Sequence, residues 1–346
     1  MQKMINGKTL ILRFSSMGDV VMTIPIIRCL EKKYPENKFI FVTRPKFKFF
    51  FNEFKNVEIF ELDLINRHKG VFGLFRLFSD LKKLNPRRIV DLHSVLRTKI
   101  LSFLFKIFFR KVSVLDKKRK ERQALTRKSN KIFKPLTPVH YLYQEVFNKL
   151  GFTIDLTKDH FFPPSKIFNI NTKNIEIDSG KIVGIAPFAK HSPKMYPLDL
   201  MQKIVSYIQD RHTVFLFGYG KLEMETINRW SSVFKNVYSS NELGGFENEI
   251  ALISNLDLMI SMDSANGHIA SIYNVPVITI WGLTHPYTGF TTFNHDPSNQ
   301  FCPNREQYPL IPNSIYGNKM IKGYEDSMRT IKIEDVLERA NEILLN

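Results

Sequence analysis

The chain has 346 residues, more than one hydrophobic core usually serves, so two domains of comparable size are expected. Its composition, 43% hydrophobic and 24% charged with no low-complexity tract, excludes disorder as a description of the whole. A formal net charge of +17 calls for an acidic partner: nucleic acid, an anionic lipid surface or a phosphorylated substrate.

Met1 to Gly7 is short and polar and leads straight into a strand-like run, which reads against a secretory signal. No uncharged run approaches the roughly 20 residues needed to cross a bilayer. Cys29 and Cys302 lie far apart, with no metal-ligand or redox spacing around either. Together these features predict a cytoplasmic protein.

In chain order, the first half offers strands at Thr9–Phe14, Phe39–Thr43, Val57–Leu62, Arg88–Asp91 and Lys111–Leu115. Helix-length stretches at Val20–Tyr34, Val71–Leu84 and Leu96–Phe109 separate them. The second half repeats the pattern, with strands at Ile182–Ala186, Thr213–Gly218, Leu258–Met262 and Val277–Trp281. Its helices fall at Pro197–Asp210, Leu222–Phe234, Glu247–Ser254 and Ala265–Tyr273, with a terminal helix at Ile333–Leu345. Continuous apolar strands separated by helices predict parallel sheets covered on both faces. The alternation breaks once, from Phe161 to Gly180, where a proline pair and a polar Asn- and Lys-rich stretch mark a linker. The expected layout is residues 1–165, a linker at 166–180, residues 181–330, and a C-terminal segment at 331–346 packing back on the first domain. Gly282 to Thr330 is loop-rich, and the sequence assigns no element there.

The positive charge concentrates between Lys99 and Lys134. Lys99–Arg110 is an apolar run with cations at both ends and one inside, and Lys117-Lys118-Arg119-Lys120 follows. This region fits a membrane interface with cations at the headgroups, and equally a buried helix followed by a solvated loop. No helix-turn-helix, zinc finger or aromatic RNA platform is present, so nucleic acid is not the expected partner.

Three turns carry candidate chemistry. The first strand runs into Ser15-Ser16-Met17-Gly18-Asp19, a small-residue turn that opens a helix and presents backbone N–H groups. It lacks the three glycines of a dinucleotide site and the Gly-Lys-Ser/Thr of a phosphate loop. Asp19 is a helix cap or a functional carboxylate, and spacing alone favours the cap. After the strand at Ile182–Ala186, Lys190 and Lys194 hang at the carboxyl edge of a sheet, where a phosphate could sit. The third turn, Asp263-Ser264-Ala265-Asn266-Gly267-His268, again opens a helix, and its small residues let a ligand approach the backbone. There, an ordinary cap and a buried histidine remain equally open readings.

Four ordered motifs resemble glycosyltransferase family 9, the lipopolysaccharide heptosyltransferases. They are Leu12-Arg-Phe-Ser-Ser-Met-Gly-Asp-Val20 with Thr23-Ile24-Pro25, Lys194-Met-Tyr-Pro197, Asp263-Ser-Ala-Asn-Gly-His268, and Val275 to Gly282 followed by Thr284-His285-Pro286. The resemblance spans nearly the whole chain. It implies a GT-B α/β architecture, two Rossmann-like doubly wound parallel-sheet domains facing across a cleft. It also implies inverting transfer of heptose from ADP-heptose to a phosphorylated lipid A-core acceptor, without metal or other cofactor, at the inner face of the inner membrane. By the motif match Asp19 would be the base, on a turn shared with Ser16 and Gly18. Lys194 would hold the diphosphate, with Lys190 on the same loop. Asp263, Ser264, Ala265, Gly267 and His268 would form the donor box, beside the Thr284 turn, and Glu223 would meet the nucleotide ribose. Ser264 and Ala265 stand where the family has Thr and Gly, and Tyr196 where it has Trp, which leaves the sugar open.

Overall fold

The computed structural model describes residues 7–166 and 180–345. Its described residues form two compact units. The first runs to Arg119 and resumes over Thr137–Phe161; the second holds Lys120–Leu136 and the chain from Phe162 onward. Most of the expected linker, 167–179, lies outside the described residues.

The first unit is built on five parallel strands: β1 (Thr9–Leu12), β2 (Phe39–Thr43), β3 (Val57–Glu61), β4 (Arg88–Asp91) and β5 (Lys111–Val114). Their order across the sheet is β3-β2-β1-β4-β5. Helices α1 (Met17–Val21) and α2 (Ile24–Lys33) follow β1, α3 (Gly70–Lys83) follows β3, and α4 (Leu96–Ile107) follows β4. After α5 (Arg119–Thr126) the unit closes with α6 (Val139–Asn148) and α7 (Leu156–Asp159). Leu74, Leu77 and Leu81 of α3, with Leu101 and Phe105 of α4, cover Leu10, Leu12, Ile40 and Val42 on one face of the sheet. Helices α2 and α6 bury their own apolar stripes against the rest of the unit. Because β1 and β2 are buried throughout, their sequences read as unbroken apolar runs.

The helix expected over Val20–Tyr34 is two helices. The Thr23 hydroxyl donates to the Val20 carbonyl at 2.6 Å, and Pro25, with no N–H to give, sits in the first turn of α2. Residues 17–21 thereby close as a separate turn around Asp19.

The second unit holds β6 (Ile182–Ala186), β7 (Thr213–Leu216), β8 (Val237–Ser239), β9 (Leu258–Met262), β10 (Val277–Ile280) and β11 (Gln300–Phe301). They pair in parallel in the order β11-β10-β9-β6-β7-β8. The helices are α8 (Leu198–Gln209), α9 (Lys221–Val233), α10 (Phe246–Ile253), α11 (Ala265–Ser271) and α12 (Ile333–Leu345). Strands β8 and β11, three and two residues long, are too short to stand out as runs.

Two expectations about the chain's division change. The apolar stripe of the terminal helix, expected on the first domain, belongs to the second unit: Val336, Ala340 and Leu344 of α12 share a core with Ile204, Val205 and Ile208 of α8. Second, Lys120–Leu136 leaves the first domain for the second unit. Lys131 Nζ donates to the carbonyls of Leu310 and Pro312, each at 2.7 Å, and the Leu136 N–H donates to Tyr287 at 2.9 Å. The Phe133 ring lies 4.6 Å from that of Tyr287, with the Arg305 guanidinium 3.2 Å from its centre. The span Lys99 to Lys134, expected to act as one basic surface, is thus divided between the units.

Both sheets have a topological switch point. In the first, the chain steps from β1 out to β2 and β3 and returns to β4 on the other side. In the second, it steps from β6 to β7 and β8 and returns to β9. Adjacent loops then part in opposite directions and leave a crevice at the carboxyl ends of β1 and β4, and of β6 and β9.

Candidate active site

At the first switch point, Ser16 precedes α1 in an extended conformation and Asp19 occupies the third helical position. The Ser16 N–H and hydroxyl both donate to Asp19 Oδ2, at 3.1 and 2.7 Å, the reciprocal capping arrangement. The same oxygen meets Arg13 Nη2 at 2.5 Å. Arg13 is itself buried, donates through Nη1 to the Leu92 carbonyl at 2.8 Å, and lies over the Tyr143 ring. Among the described residues Asp19 Oδ1 takes no hydrogen bond, so one oxygen is anchored and the other is available. Burial pushes the Asp19 carboxyl up; the Arg13 guanidinium and the Ser16 hydrogen bonds more than offset this and hold it below its ordinary value. The Gly18 carbonyl accepts from Met22 and closes the turn.

Across the switch point, β4 ends at Asp91, whose Oδ1 accepts from the N–H groups of His93 and Ser94 at 2.9 and 2.8 Å. These bonds fix the His93 ring edge-on to Phe14, with 5.4 Å between centres. Burial, with Arg13 and Lys117 nearby, lowers the His93 pKa to about 3, so the imidazole is neutral at any physiological pH.

In the second unit the exits of β6, β9 and β10 converge. Lys194 Nζ lies 2.7 Å from Asp263 Oδ2, with both side chains largely buried, and the Thr284 hydroxyl donates to the same oxygen at 3.2 Å. The Lys194 loop rests on the β10 exit through the Leu283 N–H, which donates to the Pro193 carbonyl at 2.9 Å. Gly282 permits this approach: a Cβ there would lie 2.2 Å from that carbonyl oxygen. Tyr196 fixes the far end of the loop, its hydroxyl donating to the Ile331 carbonyl at 2.8 Å.

Ser264 is the N-cap residue of α11, yet its hydroxyl is buried without a partner and does not cap the helix. Gly267 lets α11 close on β9, since a Cβ would meet the Ser261 hydroxyl at 2.6 Å. Ala265 starts the helix, half-buried, and His268 is buried one turn in. Lys190 is exposed on the β6 exit and is not brought to the Lys194–Asp263 pair. Glu223 lies at the β7 exit, where its Oε2 accepts from the Tyr219 N–H at 2.7 Å, a bond internal to its own turn. Among the described residues no group of three or more His, Cys, Asp or Glu side chains is placed to hold a metal ion.

The model of glycosyltransferase family 9 (heptosyltransferase) matches residues 74–309, more than half of the chain. The chain belongs to glycosyltransferase family 9. It is 24% identical to lipooligosaccharide heptosyltransferase 2 of Campylobacter jejuni, over 95% of this chain and 96% of that protein. Among solved structures, it resembles a family 9 glycosyl transferase from Veillonella parvula at TM-score 0.71 and 17% identity, covering 98% of this chain and 97% of that one. It also resembles the Escherichia coli heptosyltransferase WaaC with ADP, at TM-score 0.68 and 17% identity, covering 97% and 99%. These structural likenesses establish the fold, a GT-B pair of Rossmann-like parallel-sheet units.

Several neighbours of the site were not marked by the sequence. Arg13 sits inside the first family 9 motif, but its pairing with Asp19 depends on the turn geometry. His93 had a usable signal, a histidine just past the end of a predicted strand. Gly317 had none, lying in the stretch without periodicity. At φ +65° it passes Lys194 so closely that a Cβ would stand 2.3 Å from Lys194 Cγ. The buried Glu249, which accepts from the Tyr219 hydroxyl, was likewise silent, because one glutamate in a helix looks solvated.

Proposed function

We propose that this family 9 glycosyltransferase transfers heptose from ADP-heptose, with inversion and without metal, to a phosphorylated lipid A-core acceptor at the inner membrane face. The reading is carried by the Asp19 carboxylate, which has Oδ2 anchored by Arg13 and Ser16 and Oδ1 open at a switch point. In this mechanism the acceptor hydroxyl gives its proton to Asp19 Oδ1, and its oxygen bonds to the anomeric carbon. The bond from that carbon to the diphosphate breaks on the opposite face, and nucleoside diphosphate leaves with the electron pair. A strongly ionised carboxylate is a weak base. It suffices here because bond breaking leads in an oxocarbenium-like transition state, and the acceptor proton is lost late. The departing charge falls to Lys194 and to the uncapped first-turn amides after Ser264. Lys194 reaches it by exchanging Asp263 for the diphosphate. Asp263 and Thr284 keep the lysine in place until then, while Glu223 stands at the ribose end of the donor.

Asp19→Asn retains a capping acceptor but not the charge, so turnover should fall about 10²–10⁴-fold while ADP still raises Tm. Undiminished turnover removes Asp19 from the mechanism. Activity that survives chelation bears on metal independence. Product analysis with donor alone separates transfer from epimerisation.

A second reading keeps the chemistry and changes the donor, and Ser264 and Ala265 in place of Thr and Gly favour it. A thermal-shift panel of ADP-, GDP- and UDP-sugars decides, since a ligand at 100 times its Kd stabilises by about 2.7 kcal/mol.

A further inference from the structure

One large surface of the first unit has no part in the transfer chemistry. Helix α3 turns Leu74, Leu77 and Leu81 to the sheet, and α4 turns Leu101 and Phe105 the same way. The two helices meet at Phe78, whose ring lies 5.0 Å from Phe105 and 5.6 Å from Phe108. On a solvated helix the opposite stripe is polar. Here it is apolar: Phe72 is 83% exposed, Phe75 53%, Leu96 78% and Phe103 62%. Four large apolar side chains exposed on two adjacent helices mark a surface that something covers.

The charge around it has one sign. The two helices expose five cations, Arg76, Lys82 and Lys83 on α3 and Lys99 and Lys106 on α4, against a single acid, Asp80, and Arg67 already occupies that carboxylate at 2.8 Å. On α4 the outer positions run Leu96, Lys99, Phe103, Lys106 and Ile107, apolar and cationic side chains interleaved along one stripe.

Phe109 adds an independent sign. Helix α4 ends in a full Schellman turn, with the Phe109 N–H donating to the Lys106 carbonyl and the Arg110 N–H to Phe105. Phe109 occupies the left-handed position at φ +55°, where glycine or asparagine is favoured, and is 97% exposed. A phenylalanine at that position gains nothing from the fold.

We propose that the outer face of α3 and α4 docks on an anionic bilayer surface, with its phenylalanines at the headgroup–acyl boundary and its lysines and arginines among the lipid phosphates. Apolar side chains alone would suit a second copy of the chain, but two such faces would set five exposed cations against five with one acid apiece. Nucleic acid would take the cations and stack on the phenylalanines, but it would leave the exposed aliphatic side chains of Val71, Leu96 and Ile107 uncovered. An anionic bilayer satisfies both components at once. The proposal rests on an acceptor anchored in lipid, as the proposed function has it, and replaces the span Lys99 to Lys134 by a face that includes α3 and excludes the Lys120–Leu136 segment.

The test is co-sedimentation of the full chain with vesicles of phosphatidylcholine, with and without phosphatidylglycerol, together with sedimentation velocity without lipid. The parent should bind the anionic vesicles at least about tenfold more tightly than the neutral ones. Phe72→Ser combined with Phe103→Ser should weaken that binding about tenfold or more. Lys99→Glu combined with Lys106→Glu should remove the preference for anionic lipid. Both variants should keep the ADP-induced thermal shift. Asp19→Asn should bind vesicles like the parent, which separates docking from transfer. Equal binding to neutral vesicles, or parent-like binding by both double variants, overturns the proposal. So does a concentration-dependent dimer abolished by the phenylalanine changes, or displacement from vesicles by single-stranded DNA.

Discussion

Arg13 bridges Asp19 and the end of β4: one guanidinium nitrogen lies 2.5 Å from Asp19 Oδ2 and another donates to the Leu92 carbonyl at 2.8 Å. The turn after β1 is thereby tied to the strand across the switch point. The carboxylate keeps its orientation because its cation is held by the backbone rather than by solvent. Capping and the proposed base role are then two uses of one side chain, divided between its two oxygens.

The pH dependence follows from the opposition at Asp19. Burial raises this carboxyl, while Arg13 and Ser16 bring it below the ordinary 3.8. A lowered folded value means that its contribution to stability is fully present above 3.8 and is lost as pH falls through the lower folded value. The parent should therefore show no acid limb from this group near neutrality. Arg13→Met removes the opposing cation and leaves the burial, so the acid limb of kcat/KM should move to higher pH. Rate profiles of the two proteins, with the ADP thermal shift to verify folding, measure it. An unmoved limb would mean that the proton goes elsewhere.

Lys194 and Asp263 should behave as a coupled unit. The pair is largely buried, and a third group, Thr284, shares the carboxylate oxygen. Removing either partner leaves the other poorly compensated, so Lys194→Met and Asp263→Asn should each destabilise. The double variant should lose less than the sum, with a coupling of about 0.5–3 kcal/mol in urea denaturation. Lys194→Met should also weaken ADP binding about 10–100-fold, as expected for a hydrogen bond to a charged group. Additive losses with unchanged ADP affinity would leave the pair without a role in either.

Gly317→Ala probes the same lysine from a distant segment. The new methyl would enter at φ +65°, which costs an L-residue about 1–2 kcal/mol, and would press on Lys194 Cγ and Cδ. The lysine or the Gly317 loop must give way, which disturbs the Lys194–Asp263 pair. Donor KM should rise with kcat little changed, because the proposed base, Asp19, is not touched. Steady-state kinetics at saturating acceptor checks this, and an equal loss in both parameters would place the effect on folding instead.

The strands were legible because burial on both faces writes them as apolar runs: Phe39–Thr43, Arg88–Asp91, Ile182–Ala186 and Leu258–Met262 appear with the bounds their sequences suggest. Short edge strands such as β11 have no such run, and the division of Lys120–Leu136 from its neighbours depends on contacts with Tyr287 and Leu310 far along the chain. The site was legible at turn level, since strand-end turns carry their own small and charged residues. Its pairings were not. That Lys194 meets Asp263, or that Arg13 meets Asp19, depends on loop curvature set by Gly282, Gly317 and the break at Thr23. No local pattern encodes those approaches.

The contact between half-exposed Tyr219 and buried Glu249 at the β7 exit supports one more prediction. The Tyr219 hydroxyl donates to Glu249, and burial raises the Glu249 carboxyl above its ordinary 4.5 although that hydrogen bond pulls the other way. A raised folded value means that the contribution of this group to stability is intact below 4.5 and is lost as pH rises through the folded value. Once ionised, Glu249 is a buried charge with one neutral donor, and it destabilises the unit that carries it. Glu249→Gln keeps an acceptor for Tyr219 and removes the charge. The variant should melt higher than the parent above neutrality, and the gain should shrink as pH falls toward 4.5. Because Glu223 binds the same turn through the Tyr219 N–H, the exit loop should hold its shape and the ADP thermal shift should persist. Melting curves across pH decide the matter: a difference independent of pH would show that packing, not the carboxylate, sets the stability there.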